Sequence, residues 1–354
     1  MNAKTVELHL LQSFPPSCVN RDGNNSPKDC TFGEVRRARI SSQCLKRAIR
    51  QADVFAETVG DAIAARSKQM RDKKLIPYLL GAGVSQEDAE KAADAFRREL
   101  AKDDKKASQT SVGLYFGDDE LFALLDAHRT GDARWKDKGA RKSADVALFG
   151  RMLAGSAFLN VDAAAQVAHA ISTHKLSQEM DYWTAADDLK DKGEEDAGAG
   201  MLGTAEFNAS VFYRYACLSV PVLRDNLGDG DVVRKTVEAF LLASWDAIPT
   251  GKINGHAHFT PPCLALVAVR ERGMPINLCN AFLKPVRATQ AKGLGEASAE
   301  ALLEYLGRAR AMAPVDEAAY GLTHDLGVDI PADGVECAPG YGQLVSWVME
   351  RVEQ

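Results

Sequence analysis

Apolar and polar residues alternate loosely over residues 4–12, which predicts a strand. A turn-rich segment follows, with Pro15, Pro16, Asn20, Asp22-Gly23, Asn24, Asn25 and Ser26-Pro27. Such residues fix φ or bond their own backbone, so an irregular loop is expected there. Residues 36–40 read as a short strand and 42–51 as a helix. Helical spacing then dominates in segments 61–70, 86–100, 120–127 and 145–153, separated by connections rich in Gly, Lys and Asp. Residues 174–203 are polar, acidic and punctuated by Gly, with Tyr182-Trp183 in their midst, the pattern of a protruding arm. Strand-like runs return at 210–220 and 264–270, interleaved with helices at 232–245, 297–312 and 343–352. Strands at both ends around a helical insertion predict one α+β core assembled from distant segments.

Composition narrows the class. At 354 residues, 46% hydrophobic and 26% charged, the chain is globular in character and has length for roughly two domains. Its longest apolar run, residues 263–269, is far short of the ~20 residues a membrane helix needs. Glu7 and His9 interrupt the first apolar run, so a secretory leader is not expected. The seven cysteines are scattered and include no CxxC pair, which points to thiols in a reducing cytoplasm.

Charge changes the picture. The net charge of -6 speaks against a nucleic-acid partner, but residues 21–50 carry eight cations against Asp22, Asp29 and Glu34, a local +5. A basic working surface on an acidic body is the implied arrangement. On a helix over 42–51, Cys44, Leu45, Ala48 and Ile49 gather on one side. Gln43, Lys46, Arg47 and Arg50 gather on the other. Ser41 and Ser42 suit an N-cap without completing a capping box, so some first-turn amides are expected to remain open to a phosphate. Arg37 and Arg39 share a strand face and would extend the positive track. Cations with Ser and Gln, and no base-edge pattern, fit backbone binding without sequence preference.

Other candidate chemistry is weaker. Gly198-Ala-Gly200-Met-Leu-Gly203 matches GxGxxG, but charged residues 190–196 precede it instead of a buried strand, so a loop is expected. His256-Ala-His258 would put two imidazoles on one strand face, yet no third ligand is near, and structural histidines are the better reading. Asp181, Asp187 and Asp188 could recruit Mg²⁺ with a bound phosphate, but an acidic loop that simply faces water is the expected reading. No GxSxG, Walker A or HExxH occurs, so no catalytic residue, metal ligand or cofactor is assigned.

Larger blocks carry a resemblance. Residues 16–22 (PSCVNRD), Lys28-Asp29, Phe32-Gly33 and 36–48 (RRARISSQCLKRA) are similar to the CasC family, the backbone subunit of the type I-E CRISPR surveillance complex Cascade. So are Ala147 with Gly150-Arg151-Met152, residues 168–174, 181–189, 203–207 and 211–216. These blocks span roughly two-thirds of the chain; beyond residue 225 the match rests on length and on Asn280-Ala281-Phe282. The resemblance implies a hand-like protein with a ferredoxin-like, RRM-like palm (residues 1–59 and 207–354, with a linker at 165–174). Helical fingers would occupy 60–164, and a β-hairpin thumb 175–206. It further implies head-to-tail stacking along a guide RNA, pairing of the guide with target DNA, and contacts with CasA-, CasB-, CasD- and CasE-type subunits. By motif, Asn20, Arg21, Lys28, Ser41, Gln43, Lys46, Arg47 and Arg50 would hold the RNA backbone, and Met152 would lie against the bases. Tyr182, Trp183 and Thr184 would stand at a displaced nucleotide. The family's best-known member has Trp then Phe at the first two positions, whereas here the order is Tyr then Trp. Two other classes compete: a metal-dependent endoribonuclease like the backbone subunits of type III complexes, and a scaffold that binds no nucleic acid.

Overall fold

The structure, a computed structural model, describes residues 4–101, 109–132, 134, 143–153, 156–185, 201–330 and 332–353. The chain divides into two compact units, one of residues 5–52, 167–217 and 243–354, the other of 53–166 and 218–242 with the N-terminal residues.

The larger unit is built on a mixed sheet. Its strands are β1 (Thr5–Ser17), β2 (Asp29–Phe32), β3 (Val35–Ile40), β7 (Ala170–Ser172), β8 (Glu179–Ala185), β9 (Met201–Ser219), β10 (Leu264–Arg272), β11 (Glu317–His324) and β12 (Glu336–Cys337). A short strand, β6 (Ala165–Val167), leads into β7. The path runs β12-β11-β10-β1-β9-β7-β3-β2, and β8 pairs with β9. β1 extends through Pro15 and Pro16, beyond the stretch that alternation predicts. Its residues are buried on both faces, which explains the loose alternation. Leu8 and Leu10 lie beneath α1 (Ser42–Gln51), whose Leu45 and Ile49 are buried. Leu11, with Leu264, Leu266 and Tyr320, faces the opposite side and packs on Leu302, Leu303 and Leu306 of α10 (Leu294–Met312). The last helix, α11 (Tyr341–Glu353), sits on β11, where a Cβ on Gly321 would stand 2.7 Å from Leu344 Cδ1. This is the α+β architecture the sequence implies, with the sheet covered on both faces.

The polar residues of β1 are buried too. Glu7 receives Arg270 Nε at 2.7 Å, the Tyr215 hydroxyl at 3.1 Å and the Ile276 amide at 2.6 Å. His9 Nδ1 stands 2.8 Å from the Tyr213 hydroxyl, which also accepts the Leu278 amide. Burial, with Arg270 adding repulsion, pushes the His9 pKa down to about 3, so the ring is neutral.

The second unit holds α2 (Asp53–Val59), α3 (Ile76–Gly81), α4 (Gln86–Leu100), α5 (Asp118–Arg129), α6 (Ala144–Phe149) and α7 (Val220–Leu227), with most of α8 (Gly230–Asp246). Ser85 caps α4 by accepting the Asp88 amide at 3.2 Å, and Ala89, Ala93, Phe96 and Leu100 form its buried stripe. Residues 61–70 are not a helix. A strand, β4 (Ala64–Ser67), pairs there with β5 (Leu114–Gly117), a partner too distant for local periodicity to reveal. The run read as 145–153 stops at Phe149, because Gly150 turns the chain at φ 77°. Arg151 then holds Glu120 with two bonds of 2.7 and 2.8 Å, buried beneath the Phe116 ring. Among the described residues no helix is long and apolar enough to cross a membrane.

Candidate nucleic-acid interface

The basic segment folds as a hairpin followed by a helix. β2 and β3 pair antiparallel across Gly33-Glu34, whose φ values of 59° and 65° suit a tight two-residue turn. A Cβ on Gly33 would stand 1.8 Å from the Leu283 carbonyl oxygen, so this turn also needs glycine to reach its neighbour. α1 begins at Ser42, with Ser41 as N-cap: its Oγ accepts the Cys44 amide at 3.3 Å and its carbonyl the Leu45 amide at 3.1 Å. The Ser41 hydroxyl is thus a buried capping group. The Ser42 amide donates to His169 Nδ1 at 3.1 Å. Three of the four first-turn amides are therefore occupied, and of the four only the Gln43 N–H meets no acceptor among the described residues, so less of the turn is open than the sequence suggests.

Asn20 ties the preceding loop to this helix. Its Oδ1 accepts the Ser41 amide at 2.9 Å, and its carbonyl accepts the Lys28 amide at 2.8 Å. Within the loop, Asp22 Oδ1 accepts the amides of Asn24 and Ser26, and Arg21 donates to Asn25 Oδ1 at 3.0 Å. Arg21 is exposed and Lys28 half-buried. On α1, Gln43 and Arg47 are exposed while Lys46 and Arg50 are half-buried. Burial holds the Lys46 ammonium below the ordinary lysine pKa.

The charges converge on the helix start. Burial raises the Cys44 thiol pKa, against the pull of Lys28 and Arg47. Burial lowers that of His169, and Arg39 and Lys28 add to the effect. A neutral imidazole fits its role as acceptor for Ser42. Arg39 Nη1 lies 3.4 Å from the same nitrogen and its Nε donates to the Asp29 carbonyl. Asn20, Arg21 and Lys28 thus lie in the loop before the hairpin, and Ser41, Gln43, Lys46, Arg47 and Arg50 run along α1 from its N-cap to its last turn.

Arg37 leaves the track. It is fully buried and donates to the carbonyls of Phe32 (3.2 Å), Ser172 (3.0 Å), Thr173 (2.9 Å), Phe282 (2.7 Å) and Leu283 (3.4 Å). It is a fastener of β3, not a phosphate ligand. His256 and His258 do not share a strand face either. The first ends the short helix α9 (Ile253–His256), and the second is buried with Nε2 2.8 Å from the Pro249 carbonyl. Sequence reasoning missed His169 as a helix-capping group, since nothing local marks a residue that reaches α1 from the link between β6 and β7.

The arm is a seven-pair antiparallel ladder from Glu179↔Phe207 to Ala185↔Met201. Gly203, the last glycine of GxGxxG, lies within strand β9, where the nucleotide motif needs a helix. A Cβ on Gly203 would stand 2.5 Å from Trp183 Cζ2, so the indole lies flat over its cross-strand partner. Tyr182 projects from the other face beside Met180 and is 61% exposed. The Thr184 side chain, Asp187, Asp188 and the first two glycines of GxGxxG lie outside the described residues. Met152, in the helical unit, is 85% exposed. Among the described residues no three His, Cys, Asp or Glu side chains gather as metal ligands.

Residues 6–326 match a family described as CT1975-like protein. A solved chain from a CRISPR RNA-guided surveillance complex in a pre-nicking state is 30% identical, with a TM-score of 0.86 over 98% of this chain and 99% of that one. A second, from a CRISPR RNA-guided surveillance complex, is 27% identical, with a TM-score of 0.75 and the same coverage. No curated protein matches.

Proposed function

The chain belongs to the CT1975-like protein family, and on that premise we propose that it is the guide-RNA-binding backbone subunit of a type I-E CRISPR surveillance complex. The observation that carries this reading is the cationic stripe of α1, joined through Asn20 to the loop that bears Arg21 and Lys28. Near full-length similarity to chains of RNA-guided surveillance complexes supports it. A backbone subunit must accept any guide, so it grips phosphates and leaves base edges free for target DNA. Lys28, Lys46, Arg47 and Arg50 would supply the charge, with Gln43 adding its open amide. The large-sheet unit would be the palm, the helical unit the fingers, and the β8–β9 arm the thumb. With Trp183 packed on Gly203, Tyr182 is the aromatic placed to wedge at a displaced base.

Copies of the chain would stack head to tail along the guide, because a surface that meets a different surface on the next copy builds a filament. Other Cascade subunits would close its ends. All seven cysteines are free, in keeping with a cytoplasmic complex. The subunit binds and does not cut in this reading, since its convergent groups are cations and amides.

The test is RNA affinity against salt for Lys46→Ala and Arg50→Ala. Each is expected to weaken binding equally for unrelated sequences and to lower the log–log salt slope by ~0.7 per lost phosphate contact. An unchanged slope refutes the assignment. Regularly spaced, chelator-sensitive cuts in complementary RNA would favour the endoribonuclease instead.

A further inference from the structure

The loop of residues 249–262 is fixed at both ends against the chain that leads into the RNA-binding hairpin. At one end, a Cβ on Gly251 would lie 2.5 Å from the Val19 carbonyl oxygen and 2.6 Å from that of Cys18, so only glycine lets these backbones meet. Arg21 is two residues further on. Lys252, beside Gly251, adopts a left-handed φ of 48°, and its charge and that of Arg21 both act on the buried Cys18 thiol. The two cations therefore share one neighbourhood, together with Asp22 and Glu206. At the other end, Thr260 Oγ1 donates to the Ser13 carbonyl at 2.7 Å, and Gln12 Nε2 donates to the Thr260 carbonyl at 2.7 Å.

Between these anchors Ala257 is also left-handed, at φ 44°, and His258 is buried edge-on against Phe14. Left-handed residues other than glycine persist where the surroundings over-determine them, and they cluster at ligand-binding segments. What this rigid frame presents is Phe259, 68% exposed. A lone exposed phenylalanine is ordinary. This one is held between a buried histidine and an anchored threonine, on a loop that carries a cation to Arg21. Near the same corner, the half-buried His256 ring lies 6.2 Å from Phe207 at the base of the arm.

We infer that this loop is a second RNA-contacting element, in which Phe259 stacks on a base and Lys252 joins Arg21 on the phosphate chain. The inference rests on the RNA-binding reading above. Every base has a π-face, so an aromatic platform is as indifferent to guide sequence as a phosphate contact. The flanking Lys252, Asn254, His256 and Thr260 are polar, whereas an aromatic anchor for a protein partner sits at the centre of an apolar patch.

The test titrates full-length protein into a fluorescein-labelled single-stranded RNA of mixed sequence at several salt concentrations. Phe259→Ala is expected to bind ~5- to 150-fold more weakly, the equivalent of ~1–3 kcal/mol per stacked base, with an unchanged salt slope. Phe259→Trp is expected to restore affinity. Lys252→Ala is expected to lower the slope by ~0.7. If Phe259→Ala binds as wild type while Lys46→Ala is weakened, this inference falls and the RNA-binding reading stands. If Lys46→Ala also binds as wild type, that reading falls with it. Unchanged RNA affinity with lost self-association of Phe259→Ala would assign the ring to a second copy of the chain, and would overturn the inference.

Discussion

Replacing Arg37 by Met tests whether a cation in a basic run is a ligand or a fastener. The side chain lies among five carbonyl oxygens, four of them within 3.2 Å, and no carboxylate of the described residues bonds it. Met fills similar space but donates nothing, so carbonyls of three chain segments lose their partner. At ~1 kcal/mol net for each of the closer bonds, the loss is ~4 kcal/mol. For a unit of this size, ~2–4 °C per kcal/mol translates that into a melting temperature lower by ~8–16 °C, read by far-UV circular dichroism. Below that transition, the salt slope of RNA binding is expected to match wild type, because no phosphate contact is removed. A drop of less than ~2 °C, or a folded variant with a reduced slope, would refute the reasoning and return Arg37 to the RNA track.

Two further predictions concern buried groups. His9 titrates at about 3 in the fold against 6.5 in its ordinary state, so between those values the unfolded chain holds the extra proton. Stability therefore falls as pH falls, at up to ~1.4 kcal/mol per pH unit, and His9→Gln should flatten the urea midpoint measured from pH 7 to 4. Parallel profiles for the two proteins would count against it. In the helical unit, Glu120→Gln leaves the Arg151 guanidinium buried without its carboxylate. A loss of ~3–5 kcal/mol is expected in chemical denaturation, and a loss under ~1 kcal/mol would contradict the buried-pair account.

Elements set by local pattern were legible in the sequence. α4 is where a Ser N-cap and a 3.6-residue stripe agree, and the faces of α1 follow from Leu45 and Ile49 against Gln43 and Arg47. What failed was non-local. β4 depends on a partner about fifty residues away, and its small apolar residues fit either period. Arg37 and Arg39 share a face by alternation, but only the folded sheet closes the Phe282 and Leu283 carbonyls over one of them. The first turn of α1 read as open because its cap is completed by Asn20 and His169, which sequence spacing cannot bring to it. Glu7 and His9 interrupted an apolar run for a related reason. Their partners Tyr213, Tyr215 and Arg270 lie on β9 and β10.

The bond from Arg37 to Leu283 joins residues 246 positions apart. During synthesis at ~5–20 residues per second, at least ~12 s separate the emergence of the basic hairpin from that of the carbonyl that locks it. For that interval the ribosome displays a cluster of eight cations in which Arg37 lacks the last two of its five acceptors. The hairpin's last anchoring carbonyls arrive only once most of the message has been read.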